Sequence, residues 1–337
     1  MDNEDEYYRP KIAAIGVGGQ GSNLINKLTS KGISSASTIA LNTDAKHLNM
    51  IGAHKKILIG KEITRGLGAG GFPEVGARCA EASQREIIDM IKGYDLVFLC
   101  GGMGGGTGGG ALPVVAKYAK EQGSLVVAFV TYPFALERSR KLKADWSLEQ
   151  LNKNTDTTIV VENERLLSYA PNLPMEKAFE LIDNIVYNAV RGISDTISLP
   201  SLINLDFADL RSVLKSGGTA TINIGFGSGP DKAEKVVRSV REHPLLDVNT
   251  ENAKSALVHV TGNDSLTISE VTRIVEGVTS DLDPGANVIM GARFGSQKQS
   301  DAVEVMSIVT GVTPRFGTGS RSASSDTSFV AGLETLL

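Results

Sequence analysis

The sequence is poor in cysteine, with only Cys79 and Cys100 among its 337 residues. Two thiols cannot form a disulfide framework, and neither lies in a CxxC pair or in a Cys/His cluster with metal-ligand spacing. No apolar run approaches the ~20 residues that a membrane span requires. Residues 1–8 also lack the charged-then-apolar order of a signal peptide. We therefore expect a protein of the reducing cytoplasm that does not insert directly into a membrane.

An excess of positive charge is also missing. The chain carries 34 Lys and Arg against 38 Asp and Glu, a net charge of -4, and the two signs are mixed along its length. Nucleic acid is for this reason not an expected partner. The four histidines are scattered, which disfavours a mechanism centred on histidine.

The sequence does contain an alternation of short β-branched runs with longer helical stretches. This pattern is typical of a parallel sheet covered by helices on both faces, and 337 residues are enough for two domains. The predicted strands of the first domain span residues 11–17, 37–42, 55–60, 95–100, 124–130 and 157–163. Because open parallel sheets bind ligands at the carboxyl ends of their strands, we expect the site along that edge.

The second half of the chain predicts a different arrangement. Helical spacing of apolar residues predicts one long, largely buried helix from Met175 to Ser198, ended by Pro200. The predicted organisation is an N-terminal extension (1–10), a first domain (11–174), the central helix (175–199), a connection (200–218), a smaller α+β domain (219–312) and a tail (313–337). The tail is rich in Ser, Thr and Gly and ends in FVAGLETLL. It predicts a flexible linker followed by either a docking peptide or a frayed end without a partner.

Two glycine-rich segments follow predicted strands and open predicted helices. Residues 16–21 have the GxGxxG spacing of a dinucleotide site, which alone is a weak signal. Residues 101–110, GGMGGGTGGG, hold eight glycines in ten positions. Each glycine costs about 0.5–1 kcal/mol relative to alanine in regular structure, so we infer that a structural role alone does not explain so many. Backbone N–H groups at helix starts bind phosphate, which predicts a polyphosphate site with the Thr107 hydroxyl as an added donor.

A third segment, TRGLGAGGFP at residues 64–73, adds backbone that can approach a ligand closely. The pattern GxxxxGK[ST] is absent, so no P-loop lysine caps the phosphates and backbone amides must take that role. An NAD(P)-dependent oxidoreductase is the main alternative, since Asp44 lies 23 positions after Gly21. That alternative leaves the second glycine segment unexplained and has no evident group for hydride transfer.

Together these residues resemble the tubulin/FtsZ family. Residues 104–110, GGGTGGG, are similar to the family signature GGGTG[ST]G. Six further segments resemble FtsZ in the same order: VGGQGSN (17–23), ALNTDA (40–45), TRGLGAG (64–70), VENERLL (161–167), RGISD (191–195) and SLINLDFADL (201–210). The resemblance covers about residues 10–312 and implies an α/β fold. Its parts are a Rossmann-like parallel-sheet GTPase domain, a long central helix and a smaller α+β C-terminal domain.

The resemblance also implies which residues bind GTP and GDP. Those implied for the phosphates are Gly18, Gly19, Gln20, Ala69, Gly70, Gly104, Gly105, Gly106, Thr107 and Gly108. Those implied for guanine are Asn23, Asn163 and Asp183 as hydrogen-bond partners and Phe179 as a stacking ring, with Glu137 at the ribose and Lys141 or Arg140 beside it. A carboxylate suits guanine because N1–H and the exocyclic amine are both donors, a pair that adenine lacks.

Residues 204–209, NLDFAD, could be no more than a helix N-cap and turn. The resemblance instead implies that this loop enters the nucleotide site of the next subunit in a filament. There Asp206 and Asp209 would orient and polarise the attacking water, with Asn204 assisting. The chain would thus form a head-to-tail homopolymer that hydrolyses GTP with Mg²⁺ on the phosphate oxygens, and no protein ligand of the metal is named.

In the cell, the resemblance implies a cytoplasmic protein of the mid-cell division ring of a prokaryote, an archaeon being one candidate. A membrane adaptor would bind through its tail. A regulator that binds GTP without assembling or hydrolysing it is an alternative of a different class. Two positions depart from the family pattern: Gly109 stands where Thr or Ser is usual, and Gln20 where many members have glycine. The first departure is expected to remove a hydroxyl from the phosphate loop.

Overall fold

The computed structural model describes residues 9–169, 172, 174–199, 202–203, 205–215, 218–241, 248–250, 253–294 and 301–314. The chain divides into two compact units, Met1–Glu164 and Arg165–Leu337. Pro200, Asn204 and the tail beyond Pro314 lie outside the described residues, so the predictions for them stay predictions.

A parallel sheet forms the centre of the first unit. Its strands are β1 (Ile12–Val17), β2 (Ser37–Asn42), β3 (Lys55–Leu58), β4 (Leu96–Gly102), β5 (Leu125–Tyr132) and β6 (Thr157–Glu162). They pair in parallel in the order β3-β2-β1-β4-β5-β6. Every residue of β1 and β5 is buried, as expected for strands covered on both faces. The strand order reverses between β1 and β4, which is where a doubly wound sheet opens a crevice.

Helices cover this sheet. They are α1 (Gly18–Ser30), α2 (Ala45–Met50), α3 (Lys61–Thr64), α4 (Pro73–Ala82), α5 (Gln84–Ile91), α6 (Gly106–Glu121) and α7 (Arg138–Asn152). The short helix α8 (Glu164–Tyr169) follows β6 and begins where the first unit ends. The helices α4 and α6 pack closely because glycines lie at their contact. A Cβ added to Gly110 would overlap the carbonyl oxygen of Pro73, and one added to Gly76 would overlap that of Gly106. This packing places the start of α6 beside the segment that leads into α4.

The second unit is a mixed sheet with helices. Its helices are α9 (Met175–Ser198), α10 (Phe207–Lys215), α11 (Lys232–Arg241) and α12 (Ile268–Thr279). Its strands are β7 (Thr219–Ser228), β8 (Val248–Asn249), β9 (Ser255–Gly262), β10 (Asn287–Phe294), β11 (Ala302–Thr310) and β12 (Thr313–Pro314). In the order β10-β9-β11-β7, β11 runs antiparallel to both neighbours, whereas β9 and β10 are parallel; β8 and β12 form a separate antiparallel pair. Apolar residues of α11 and α12 pack on β9 and β11.

These elements confirm the predicted architecture of a parallel α/β sheet, a long buried helix and a smaller α+β block. The predicted central helix and α9 have the same bounds, and its apolar positions from Leu181 to Ile193 are buried. No helix in the described ranges has both the length and the apolar character needed to cross a bilayer.

One lysine links the ends of three elements in the second unit. The side chain of Lys232, at the start of α11, is only 6% exposed. Its Nζ donates to Asp301 Oδ1 at 2.8 Å and to Ser265 Oγ at 3.2 Å, and it lies 3.4 Å from Glu270 Oε1. The hydrogen bond from Lys232 lowers the pKa of Asp301. The pKa of Glu270 is lowered first by the backbone N–H of Thr267 and further by Lys232.

We expect Lys232→Met to lower the free energy of unfolding near neutral pH, because two carboxylates lose their cation; the partial exposure of both limits the loss. Since both carboxyl pKa values are lowered in the folded state, this stabilisation is present above their unfolded values and is lost as the pH falls through the lowered ones. Urea unfolding from about pH 7 down to about pH 2 measures the effect. The matched control is Lys235→Met, an exposed lysine of the same helix. A difference between wild type and Lys232→Met that persists unchanged at the acid end would contradict the assignment.

Candidate nucleotide site

The crevice between β1 and β4 is bordered by two helix starts, those of α1 at Gly18 and α6 at Gly106. Gly18 has a φ of +76°, and a Cβ added to it would lie 2.9 Å from the backbone nitrogen of Gly108. Only glycine permits both the left-handed conformation and this approach. The two glycine-rich segments therefore meet backbone to backbone.

The start of α6 presents N–H donors that lie outside the hydrogen-bond ladder of the helix. The first i→i−4 bond of α6 runs from the N–H of Gly109 to the carbonyl of Gly105, 3.2 Å apart, so the N–H groups of residues 106–108 precede the helical ladder. The helix dipole adds a partial positive charge there. Gly105 has a φ of -88° and a Cβ added to it would meet nothing within 4 Å, and the same open space surrounds Gly19. This geometry suits an anion.

The segment 64–73 forms the third side. Gly66, Gly68, Gly70 and Gly71 all have positive φ. The segment pairs with the chain after β2 through hydrogen bonds from Gly68 N to Thr43 O and from Ala45 N to Gly66 O, at 3.1 and 3.0 Å. A Cβ added to Gly106 would lie 2.8 Å from Phe72 N and 2.9 Å from the Cβ of Ala69. The backbone of residues 18–20, 69–71 and 104–108 is called the glycine cradle below.

One part of the sequence interpretation was wrong. A structural role does explain most glycines of the segment 101–110, of which residues 101–102 end β4 and residues 106–110 belong to α6. Seven of its glycines also have a packing reason, since a Cβ at any position except Gly105 would crowd a neighbouring atom. Close packing of strand ends and helix starts therefore accounts for most of the glycines. The same packing brings the N–H groups of the cradle together.

Two side chains hold the cradle in place. The hydroxyl of Thr107 pairs with the buried hydroxyl of Thr43 at 2.7 Å, which links α6 to the end of β2. Gln20 Oε1 accepts a hydrogen bond from the Thr131 hydroxyl at 2.8 Å, so the Gln20 amide nitrogen remains as a donor.

Lys143 was missed by the sequence reasoning. Its Nζ donates to the carbonyl of Gly71 at 2.6 Å and lies 5.0 Å from the centre of the Phe72 ring. It secures the segment 64–73 from α7. Nothing in the sequence distinguishes this lysine from its neighbours, because its partner is a backbone carbonyl 72 positions away.

The departure at Gly109 has a different consequence from the one expected. A Cβ on Gly109 would lie 2.6 Å from Ser147 Oγ, so a side chain there would meet α7 rather than enter the cradle. The Ser147 hydroxyl is buried without a hydrogen-bond partner among the described residues. Glycine at this position therefore does not remove a hydroxyl donor from the phosphate site.

The residues predicted for the base lie in both units. Asn23 is exposed at α1, and its Oδ1 lies 3.0 Å from His47 Nε2. Asn163 is buried and its Oδ1 has no hydrogen-bond partner within the described ranges, so an N–H donor on a ligand would satisfy it. In the second unit, Phe179 and Asp183 lie four positions apart and hence on one face of α9.

The residues predicted for the ribose lie at the start of α7. Glu137 Oε1 accepts from the N–H of Phe134 at 3.1 Å, and its Oε2 accepts from Arg140 Nη1 at 2.7 Å. The two basic candidates for the ribose contact, Arg140 and Lys141, have different neighbours. The backbone of Arg140 borders Gly104, whereas Lys141 Nζ lies 5.9 Å from the centre of the Tyr132 ring.

Asp206 and Asp209 lie at the start of α10 in the second unit. The N–H of Asp209 donates to Asp206 Oδ1 at 2.7 Å, and the N–H of Asp206 donates to Asp209 Oδ2 at 3.3 Å. This reciprocal pair is a capping box made of two aspartates. The predicted N-cap is therefore confirmed. The catalytic role of the two aspartates remains a prediction.

Family profiles and relatives match most of the chain. A profile of the Tubulin/FtsZ family, GTPase domain, matches residues 11–171, and one of the FtsZ family, C-terminal domain, matches residues 218–313. Cell division protein FtsZ 2 of Methanocaldococcus jannaschii is 49% identical over 312 residues, which are 92% of this chain and 82% of that protein. Cell division protein FtsZ 1 of Thermococcus kodakarensis is 47% identical over 309 residues, 91% of this chain and 82% of its own.

Solved structures give the same result. An empty FtsZ dimer of M. jannaschii superposes with a TM-score of 0.85 at 39% identity, covering 97% of this chain and 100% of that one. CetZ1 of Haloferax volcanii, a GDP-bound monomer, reaches 0.75 at 20% identity, covering 97% and 98%, a likeness of fold alone.

The fold and the site thus define a tubulin-like GTPase. Within that class, the chain belongs to the FtsZ family. It is a GTP-dependent cytoskeletal protein of cell division, and the oxidoreductase alternative is excluded.

Proposed function

We propose that the chain assembles head to tail and hydrolyses GTP at a site completed by two successive subunits. The observation that carries this proposal is the acidic pair Asp206 and Asp209 at the start of α10, where Asp206 is exposed. The pair lies in the second unit, whereas the glycine cradle lies in the first. Each aspartate accepts one backbone N–H and keeps further carboxylate lone pairs for a water. Acidic side chains of one subunit would therefore complete the glycine cradle of the next.

The glycine cradle would bind the phosphates through backbone N–H groups and the positive end of α6. The Gln20 amide would add a donor, and residues 69–70 would approach the γ-phosphate. Phosphoryl transfer passes through a loose transition state in most analyses, so catalysis depends mainly on positioning and on stabilising charge. Donors already fixed by close packing suit both tasks.

At the other end of the nucleotide, Asn163 Oδ1 would accept a hydrogen bond from guanine and Asn23 would provide a second contact. Asp183 would accept from the two donors of the guanine edge, and Phe179 would stack on the ring. Glu137, with Arg140 or Lys141, would contact the ribose. These roles account for the buried, unpartnered oxygen of Asn163.

The donor set also fits Mg²⁺ held mostly by phosphate oxygens and water. The described residues contain no group of three or more His, Cys, Asp or Glu side chains that could hold a metal ion, and Mg²⁺ commonly keeps several waters. The neutral oxygens nearest the phosphates would be those of Gln20 and Thr107. The ion would supply neutralisation of phosphate charge when bound.

In the cell we propose a location at the division site, with an adaptor that recognises the tail at residues 313–337. The apolar FVAGLETLL end of that tail is the motivating feature. The adaptor, not the chain itself, would contact the membrane.

The shared site predicts how turnover depends on concentration. We expect GTPase activity per subunit to be close to zero at high dilution and to rise above a threshold concentration, because a lone chain lacks the second half of the site. Phosphate release measured over a dilution series, with light scattering on the same samples, tests this. GTP binding to the dilute chain is the control, since the first unit should retain it. Constant specific activity at all concentrations would refute the shared site.

A further inference from the structure

Asn23 lies at the end of a chain of hydrogen bonds that begins at a backbone N–H. The N–H of Asp44 points to Asn42 Oδ1 at 3.2 Å, and Asn42 Nδ2 lies 3.3 Å from His47 Nδ1. The other ring nitrogen, His47 Nε2, lies 3.0 Å from Asn23 Oδ1. Three side chains thus connect the loop after β2 to α1.

The first link determines the direction of all the others. A backbone N–H can only donate, so the oxygen of the buried Asn42 amide must face Asp44 and its nitrogen must face His47. The nitrogen of Asn42 donates, so His47 Nδ1 must accept and carries no proton. In the neutral imidazole the proton is then on Nε2. His47 Nε2 therefore donates to Asn23, which must present its oxygen.

The position of His47 is itself secured locally. Its backbone N–H donates to Asp44 Oδ1 at 3.0 Å in the first turn of α2, so one residue, Asp44, both begins the chain of hydrogen bonds and holds the imidazole. His47 is half-buried, whereas Asn23 is exposed. The NH₂ of Asn23 is the donor group that it can offer to another partner.

We propose that His47 is a positioning residue that makes Asn23 a donor to guanine. This inference rests on the proposed contact between Asn23 and the base. An unrestrained asparagine could accept from the exocyclic amine of guanine or donate to one of its acceptors. With its oxygen held towards His47, Asn23 is oriented to present its NH₂ to the base, so its partner on guanine is O6, N3 or N7. His47 thereby determines which group Asn23 offers to guanine, although His47 itself does not contact the base.

The test measures GDP binding by calorimetry to nucleotide-free full-length chain, since GDP avoids turnover. His47→Ala should weaken GDP binding about tenfold, the loss of one well-placed hydrogen bond. His47→Gln should recover most of the affinity, because its amide can again donate to Asn23. Asn23→Asp should bind as weakly as Asn23→Ala, because a carboxylate can accept from His47 and has no donor for the base. Thermal unfolding of each variant checks the fold.

Base analogues identify the acceptor and separate positioning from general damage. The diphosphates of 7-deazaguanosine, 3-deazaguanosine and 2-aminopurine riboside lack N7, N3 and O6. One of them should bind the wild type more weakly by a factor that largely disappears in His47→Ala. Proportional weakening of GDP and all three analogues would indicate a merely structural effect and overturn the proposal.

Nitrogen-15 NMR of the histidine rings tests the tautomer independently of nucleotide. The proposal expects an unprotonated Nδ1 and a protonated Nε2 at His47, and a protonated Nδ1 in the neutral ring would overturn it. If the wild type binds no GDP, the proposed function fails together with this inference. If it binds GDP and His47→Ala binds equally well, only the role of His47 fails.

Discussion

Asp206→Asn and Asp209→Asn are each expected to lower GTP turnover about 100-fold or more and to leave GTP affinity unchanged. In the proposed filament these carboxylates polarise the water that attacks the γ-phosphate, and removing one such electrostatic contact commonly costs 10²–10³ in rate, as an order of magnitude. Phosphate release well above the assembly threshold, together with GTP binding at high dilution, measures the two properties separately.

Asparagine is the informative substitution because the two aspartates also cap α10. Asn is as good an N-cap as Asp, so the isosteric variants keep the hydrogen bonds between residues 206 and 209 and lose only the charge. Alanine would remove the cap as well and destabilise the helix by about 1 kcal/mol. Asp231→Asn, an exposed acid just before α11, is the matched control. Wild-type turnover in Asp206→Asn would show that Asp206 caps α10 and takes no part in hydrolysis.

Gly105→Ala and Gly19→Ala are expected to fold like the wild type and to bind GTP about 10- to 100-fold more weakly. A Cβ at either position meets no atom within 4 Å in the free chain, so the methyl group disturbs no packing. It would stand at the mouth of the cradle, where the phosphate oxygens must approach backbone N–H groups at hydrogen-bond distance. GTP binding and thermal unfolding of the same preparations test both parts.

Two further glycines act as references for this prediction. Gly285→Ala in the second unit adds a methyl group at an exposed turn and should leave GTP binding unchanged. Gly104→Ala should instead unfold more easily, because Gly104 has a φ of +83° and its Cβ would lie 2.6 Å from the carbonyl oxygen of Arg140. Unaltered GTP affinity in both Gly105→Ala and Gly19→Ala would show that the triphosphate does not bind over these helix starts.

Mixing two of these variants gives a stringent test of the shared site. Gly105→Ala keeps its acidic residues and Asp206→Asn keeps its nucleotide site, so each supplies the half that the other lacks. At a GTP concentration too low to fill the weakened site of Gly105→Ala, equal amounts of the two proteins should turn over GTP faster than either protein alone, because mixed contacts combine the two intact halves. A mixture as inactive as its components would place both functions within one subunit.

The strands and the central helix were predictable because each is recorded in a local pattern. Residues 37–42 are a β-branched and apolar run and form β2 with the same bounds, and the apolar spacing after Met175 predicts α9. The glycine segments also located the start of α6. The reason for their composition was not predictable, since the atoms that exclude a Cβ at Gly106 and Gly110 belong to residues 69–77.

Contacts between distant residues account for the rest of the site. Gln20 and Thr131, and His47 and Asn23, meet through side chains far apart in sequence, and the Lys143 side chain meets the backbone carbonyl of Gly71. The residue type of a donor or acceptor does not identify its partner, because the pair is determined only when the fold brings the two within about 3 Å. His47 was therefore one of four scattered histidines in the sequence, although it lies beside a predicted base contact.

The sequence by itself determined the α/β architecture and a phosphate site at the helix starts, and its resemblance to the tubulin/FtsZ family determined the class of protein. Periodicity, turn chemistry and ordered motifs are local, so they can be read along the chain without coordinates. Only the tertiary structure decided which groups are available for chemistry. It engages Asp44 as a cap and Glu137 as an ion-pair partner, leaves Asn163 Oδ1 without a partner among the described residues, and orients the Asn23 amide. These outcomes depend on every neighbour in space.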